Sequence, residues 1–302
     1  MINGIINVYK EKGYTSHDVV AKLRGILKQK KIGHTGTLDP DAEGVLPVCL
    51  GNATKLCDIL TDKSKAYRAV LLLGTTTDTQ DITGKVIEER AVTASKEKVL
   101  ETILSFKGAY DQIPPMYSAL KVGGKRLYEL AREGKEIPRE ARKVELHSIT
   151  VESLDMDTKE AVIVVECSKG TYIRTLCHDI GEKLLCGGCM KELTRIRSGE
   201  FDISKSLKLG EIEAKLKSGT LDAYVKAVPD MFPEYGKVTV KKEFEKQLYN
   251  GNFLSLSQLE QEFSDTSDKL TRVLIFDGEN NFVGIYEYCP EQGIIKPYKM
   301  FL

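Results

Sequence analysis

The run Lys31-Ile32-Gly33-His34-Thr35-Gly36-Thr37-Leu38-Asp39-Pro40-Asp41-Ala42-Glu43-Gly44-Val45-Leu46-Pro47 decides how this chain is read. Three glycines and two prolines punctuate it, so it is expected to be a loop rather than the interior of a helix or of a central strand. Inside it lie a histidine, two threonines and Asp39, held between Leu38 and Pro40. A basic amphipathic stretch precedes it and the apolar Val45-Leu46-Pro47-Val48-Cys49-Leu50-Gly51 follows. A rigid polar loop between two packed elements is well placed to present one carboxylate. Asp-Pro is also a common turn dipeptide whose carboxylate bonds its own backbone. Residue types alone therefore leave Asp39 either structural or chemical.

Outward from the loop, Ile5-Ile6-Asn7-Val8-Tyr9 reads as a short strand, and Gly13 marks a turn. Ser16 suits a helix N-cap, because Val19, Val20, Leu23, Ile26 and Leu27 then recur at helical spacing. Residues 53–60 are expected to be helical and 66–74 a buried strand. Residues 95–106 carry a helical apolar stripe, and Pro114-Pro115 breaks the chain. Residues 116–122 read as a strand, followed by a Gly123-Gly124 turn and a helix over 126–132. Residues 144–154 and 161–167 are expected strands. Thr171 could cap a helix with apolar positions Ile173, Leu176, Ile180, Leu184 and Leu185. This irregular alternation with hairpin signals predicts an α+β catalytic domain, built on a mixed, largely antiparallel sheet with flanking helices. Composition shifts near Val228-Pro229-Asp230-Met231-Phe232-Pro233, which predicts a domain over 1–232 and a small β-rich one over 233–302. The latter reads as a short helix at 242–249, a turn at Asn250-Gly251-Asn252, and strands at 271–276 and 282–288.

At 302 residues the chain can bury a sizeable core. No apolar run approaches a membrane span and the N-terminus lacks the features of a signal peptide, so a cytoplasmic location is expected. Formal net charge is zero, which argues against a uniformly basic nucleic-acid binder. Charge is nevertheless clustered. Lys22, Arg24, Lys28, Lys30 and Lys31 precede the loop, and Lys121, Lys125, Arg126, Arg132, Lys135, Arg139, Arg142 and Lys143 mark a middle segment partly offset by glutamates. Such patches suit a phosphate track or a solvated helix face. The stretches Glu260-Gln261-Glu262 and Asp265–Asp268 are acidic. Of seven cysteines, Cys186 and Cys189 alone share a metal-like spacing, and zinc would need two further ligands. Reduced, packed thiols are the expected state.

The string Gly33–Gly51 resembles the signature loop of the bacterial tRNA pseudouridine synthase B family. The resemblance continues in order through "DKSKAYRAVLLLGTTTDTQDITG", "IPPMYSALKVGGKRLYELAREG", "SKGTYIRTLCHDIGEKL" and "GGCMKELTRIRSGEF". It implies the pseudouridine synthase fold, with a PUA-like RNA-binding module at the C-terminus. The implied activity is isomerisation of uridine 55 in the tRNA T-loop, by a monomer that needs no cofactor and no metal. In this reading Asp39 is the catalytic carboxylate, kept ionised by Arg174. Tyr67 stacks on the target uracil and helps move the C5 proton. His34, Tyr172, Leu193 and Lys10 are implied at the substrate, His34 beside the flipped nucleotide and Leu193 closing the pocket, although helix packing is an equally natural use for Leu193. Leu193-Thr194-Arg195-Ile196-Arg197 departs from the family's Leu-Arg-Arg, which puts RNA contacts by Arg195 and Arg197 in doubt. A guide-RNA-dependent pseudouridine synthase shares a similar loop. A tRNA-binding folding factor could use the same cleft, but binding alone has no need of a carboxylate near phosphates. A carboxylate glycosidase would require a second acid at a defined separation, for which Asp41 and Glu43 lie too close in sequence.

Overall fold

Strand alternation builds two cores on one sheet. Along Gly4–Lys10, Ile5 faces one apolar cluster while Ile6 and Val8 face another. Its antiparallel partner Glu43–Leu50 repeats the pattern, with Val45 and Cys49 on the first side and Leu46, Val48 and Leu50 on the second. Period-two side chains with both faces covered make these interior strands. A computed structural model describes residues 1–260 and 272–302. Ten strands form the main sheet. Its order is Val225–Lys226, Gly4–Lys10, Glu43–Leu50, Gly188–Ser198, Lys65–Leu73, Glu160–Cys167, Arg142–Asp155, Gly108–Gln112, with Ile32–His34 and Phe201–Asp202 attached at the side. Every pairing is antiparallel except Gly188–Ser198 against Glu43–Leu50. The sheet is mixed and largely antiparallel, and helices Ser16–Leu27, Lys96–Leu104 and Ile173–Lys183 flank it.

Several local expectations are corrected. The decisive run is not loop throughout. Ile32–His34 and Glu43–Leu50 are strands, and only residues 35–42 form the loop. Pro47 is tolerated inside a central strand because the sheet is open beside it. On that edge Glu43–Gly44 pair with Thr194–Arg195 and Val48–Leu50 pair with Ile32–His34, leaving Pro47 in the gap. Its carbonyl accepts from Thr35 N at 3.0 Å, and no ladder bond needs the missing N–H.

The cap of the first helix is Thr15, not Ser16. Thr15 Oγ1 accepts from Asp18 N at 3.0 Å, and Asp18 Oδ2 accepts from Thr15 N at 2.8 Å, closing a capping box. Ser16 serves the loop instead, where its hydroxyl accepts from Leu38 N at 3.0 Å. Residues 51–56 wind as a 3-10 turn before the short helix Cys57–Thr61. Residues 116–120 are not strand, and only Lys121–Val122 pairs, with Lys125–Arg126. Thr171 does not cap the Arg174 helix, since its hydroxyl donates to Ser168 O and Tyr172 occupies the cap position without a side-chain bond. That helix ends at Lys183, and Leu185 is left-handed and exposed.

Beyond residue 235 a five-stranded sheet forms in the order Gly236–Thr239, Arg272–Phe276, Phe282–Cys289, Ile294–Met300, Leu254–Ser255. The helix expected at 242–249 is a 3-10 turn, Lys242–Phe244, followed by Glu245–Tyr249. Of the strand expected at 271–276, Arg272–Phe276 is seen, and residue 271 lies outside the described residues together with most of the acidic stretch, 261–268. Leu274, Phe276, Ile285 and Phe301 join Ile5, Val45, Leu56 and Phe232 in one apolar cluster. Lys299 adds an ion pair to Asp58 at 2.8 Å and Lys55 Nζ donates to Met300 O at 2.8 Å.

Candidate active site

Leu38 and Ala42, on either side of Asp39, are buried in the cluster that holds Tyr67, Ala69, Ile173 and Leu193. Two apolar anchors sinking into the core leave the intervening carboxylate at the surface, its side chain 42 % exposed. Buried cations grip the loop from below. Lys10 Nζ donates to Ala42 O at 2.6 Å, Pro40 O at 3.0 Å and Glu11 O at 3.2 Å. Arg195, 1 % exposed, donates from Nε to Val45 O at 2.6 Å and from its Nη atoms to Gly36 O at 3.4 Å and Thr37 O at 3.5 Å. A buried cation is tolerated when its donors are filled, and here backbone carbonyls fill them. Burial pulls the Lys10 ammonium down to about 8, against the opposing pull of Asp39, Asp41 and Glu43.

Gly44 lets this loop close on Arg195. Its φ is +103°, and a Cβ would stand 2.3 Å from Arg195 O. Gly44→Ala is expected to lower unfolding free energy by about 2–4 kcal/mol, from a strained backbone plus overpacking. Urea unfolding would measure it, and a variant as stable as wild type would mean that the Gly44–Arg195 contact relaxes freely.

Arg174 is the second residue of its helix, and its side chain is 7 % exposed. Nε stands 3.0 Å from Asp39 Oδ2 and Nη2 3.5 Å from Oδ1, a forked approach to the carboxylate. The remaining donors reach Tyr117 O at 2.8 Å and Thr79 O at 3.1 Å, and Nη1 lies 3.6 Å from Asp81 Oδ2. Asp81 is itself held by Thr83 Oγ1 at 2.6 Å and Thr79 Oγ1 at 2.8 Å. Arg174 thus stands between two carboxylates, one open and one half-buried. The Asp81 contact is not legible in the sequence. Its Thr-Asp-Thr-Gln-Asp context reads as a self-satisfied turn, and only the tertiary fold brings Arg174 to it.

Tyr67 is buried on the strand Lys65–Leu73, with Arg195 as register partner, while Leu193 partners Ala69. Paired residues in an antiparallel ladder share a face, so Tyr67, Ala69, Leu193 and Arg195 line one side of the sheet beneath the Asp39 loop. Burial raises the Tyr67 phenol, with Arg195 opposing. Leu193 is a strand residue that shares its apolar cluster with Ile173, Leu176 and Ile180 of the Arg174 helix, so packing against that helix also accounts for its burial. Tyr172 is half-buried, its phenol raised by burial and lowered by Ser118, Arg142 and Arg174. His34 lies at the end of Ile32–His34 with its ring edge-on to His17, centroids 5.2 Å apart. Burial, then His17, push its imidazole downward.

Three basic residues named from the sequence are turned inward or paired. Lys10, grouped with the substrate residues, is fully buried with its donors spent on carbonyls, which is the placement of a loop anchor. Arg195 faces the core rather than solvent, and Arg197 is paired with Glu166. All seven cysteines are free, five of them buried. Among the described residues no three His, Cys, Asp or Glu side chains gather as a metal site, and no helix is long and apolar enough to cross a membrane.

Comparison with known proteins follows the same geometry. A solved structure titled "Crystal Structure of a Cbf5-Nop10-Gar1 Complex" superposes with a TM-score of 0.71 at 26 % identity, covering 99 % of this chain and 85 % of that one. "Structure of H/ACA RNP bound to a substrate RNA containing 2'-deoxyuridine" matches with a TM-score of 0.71 at 23 % identity, with the same coverage. The fold is that of the pseudouridine synthases. Residues 24–173 match the model for the TruB family pseudouridylate synthase (N terminal domain), and residues 174–230 match the tRNA pseudouridylate synthase B C-terminal domain. Curated relatives named tRNA pseudouridine synthase B include that of Lachnoclostridium phytofermentans, 55 % identical with all of both chains covered. Another, from Bacillus cytotoxicus, is 39 % identical over 100 % of this chain and 98 % of its own. The chain belongs to the TruB family of pseudouridylate synthases.

Proposed function

We propose that this protein isomerises uridine 55 of the tRNA T-loop to pseudouridine, with Asp39 as the catalytic carboxylate. The observation that carries this reading is the forked Asp39–Arg174 pair, at 3.0 Å, on an open loop above the Tyr67 face. The reaction breaks the uracil N1–C1′ bond and joins C5 to C1′, and the C5 proton is lost while N1 regains one. A carboxylate serves it by attack at C1′, by addition to the ring, or by removal of the C2′ proton. Each role needs Asp39 at the sugar–base junction, and each ends in loss of the C5 proton. Reaching that atom requires the base to leave its stack, at a cost of roughly a few kcal/mol. Tyr67 and Leu193 provide an aromatic and an aliphatic wall for the detached uracil. The family resemblance also assigns Tyr172 and His34 to the substrate, and the anchors Lys10 and Arg195 keep the loop in place while the base turns.

The whole-length match to relatives named tRNA pseudouridine synthase B, one of them 55 % identical, favours a stand-alone tRNA enzyme over a guide-RNA-dependent one. We assign residues 1–232 to catalysis and 233–302 to a PUA-like RNA-binding module, in a cytoplasmic monomer acting on the T-arm. Tritium release from a T-arm stem-loop labelled at uridine C5 tests the function. Release at uridine 55 by the full chain alone is expected. Tight RNA binding without release would instead favour a folding factor.

Tyr67→Leu is expected to slow single-turnover isomerisation by about 10²-fold, the scale of a lost orienting contact, while T-arm affinity in filter binding stays within about threefold. The opposite pattern, weak binding at full rate, would make Tyr67 a docking residue.

A further inference from the structure

The start of the Arg174 helix has no side-chain cap of its own, because Tyr172 at the cap position makes no such bond. Its backbone is held from elsewhere. Gln112 Oε1 accepts from Tyr172 N at 2.7 Å, and Gln112 Nε2 donates to Tyr172 O at 3.0 Å, across a separation of 60 residues. The second Nε2 hydrogen goes to the Tyr110 hydroxyl. Gln112 is 1 % exposed, and with both donors and its acceptor engaged the amide has one orientation. Gln112 ends the edge strand Gly108–Gln112. A few residues on, Tyr117 O accepts from Arg174 Nη2 at 2.8 Å. The segment from 112 to 117 therefore holds the Tyr172–Arg174 turn at two points, once through its backbone and once through the guanidinium.

We propose that Gln112 is a positioning residue for the isomerisation, and that its amide clamp on Tyr172 sets where Tyr172 and Arg174 stand relative to Asp39. This rests on the reading of Asp39 and Arg174 given above. Gln112 is buried and reaches the reaction only through the chain it holds. A helix start held on both its N–H and its C=O cannot rotate, and two residues later the same backbone carries Arg174. Releasing it moves the guanidinium against Asp39, and a displacement of about 1 Å can cost ~10²-fold in rate. The charged and titratable groups around the clamp are Arg142, its register partner, and Asp179, Cys177 and Cys167, which act on Tyr110. On the other side Arg142, Arg174 and Asp39 act on Tyr172.

The test compares full-length wild type, Q112L and Q112E in single-turnover tritium release from C5-labelled T-arm RNA between pH 6 and pH 8.5, with RNA affinity and melting temperature measured alongside. Q112L removes the clamp and is expected to lose ~10²-fold in rate with affinity within about threefold. Ionised, Q112E turns a carboxylate oxygen toward Tyr172 O. Protonated, as burial favours, it can donate there and restore the clamp. Its rate relative to wild type is therefore expected to rise about tenfold as pH falls from 8.5 to 6, a response that a packing role alone does not produce. Rates within twofold of wild type for Q112L, or a Q112E profile parallel to wild type, would overturn the proposal. Failure of both variants to fold would also overturn it, by making Gln112 a core residue. An inactive wild type would instead overturn the underlying reading of the site.

Discussion

Asp39→Asn is expected to fold, to melt close to wild type and to bind T-arm RNA, yet to isomerise at least ~10⁴-fold more slowly, about 5.5 kcal/mol in the barrier. The amide keeps the shape of the side chain, and the position is partly open, so little stability depends on it. The charge is gone, however, and with it the nucleophile or base that every route to pseudouridine needs. The amide also turns an N–H₂ toward an Arg174 that has only donors to offer. Single-turnover tritium release beside filter binding separates the two effects. Turnover within tenfold of wild type would remove Asp39 from the chemistry and leave it a turn residue.

Arg174→Met is expected to damage both rate and stability. Its guanidinium faces Asp39 at 3.0 Å and Asp81 at 3.6 Å, and it also binds the carbonyls of Thr79 and Tyr117. Methionine fills the space but leaves Asp81 without its counter-charge and two carbonyls without their donor. Removing one partner of a buried pair costs about 3–5 kcal/mol. Solvent still reaches Asp39, so about 2–4 kcal/mol is expected, with a rate loss of at least ~10²-fold. Arg174→Lys keeps the charge without the fork and should recover stability more than rate. Urea unfolding and single-turnover release would show this split. Equal recovery of both by lysine would mean that charge alone, not the forked geometry, matters at this position.

The elements read best from sequence were those whose signal is local. The first helix shows its apolar spacing in five residues, and the strand Lys65–Leu73 stands out as a continuous apolar run from Ala69 to Leu73. Gly188–Ser198, the strand that joins the two halves of the sheet, was not legible. Register shifts between Met190 and Glu192 and between Arg195 and Arg197 break its period of two, and a charged residue at the buried Arg195 position reads as solvent-facing. Thr171 is a good capping residue by type, but its hydroxyl turns back to Ser168, and Gln112 holds the helix start from a different strand.

The candidate site divides along the same line. The glycine and proline spacing around Asp39 is enough for the turn at its centre, and the ordered blocks that follow are enough for the family, because turn chemistry and family motifs are properties of contiguous residues. Lys10, Asp81, Gln112 and Arg195 took their meaning only in three dimensions. Each is a polar or charged side chain in a largely dry setting, allowed there because specific carbonyls, backbone groups or a guanidinium arrive from elsewhere in the chain. Composition and periodicity report burial on average and assign such residues to the surface. Their partners, and so their roles, exist only after the sheet has brought those segments together.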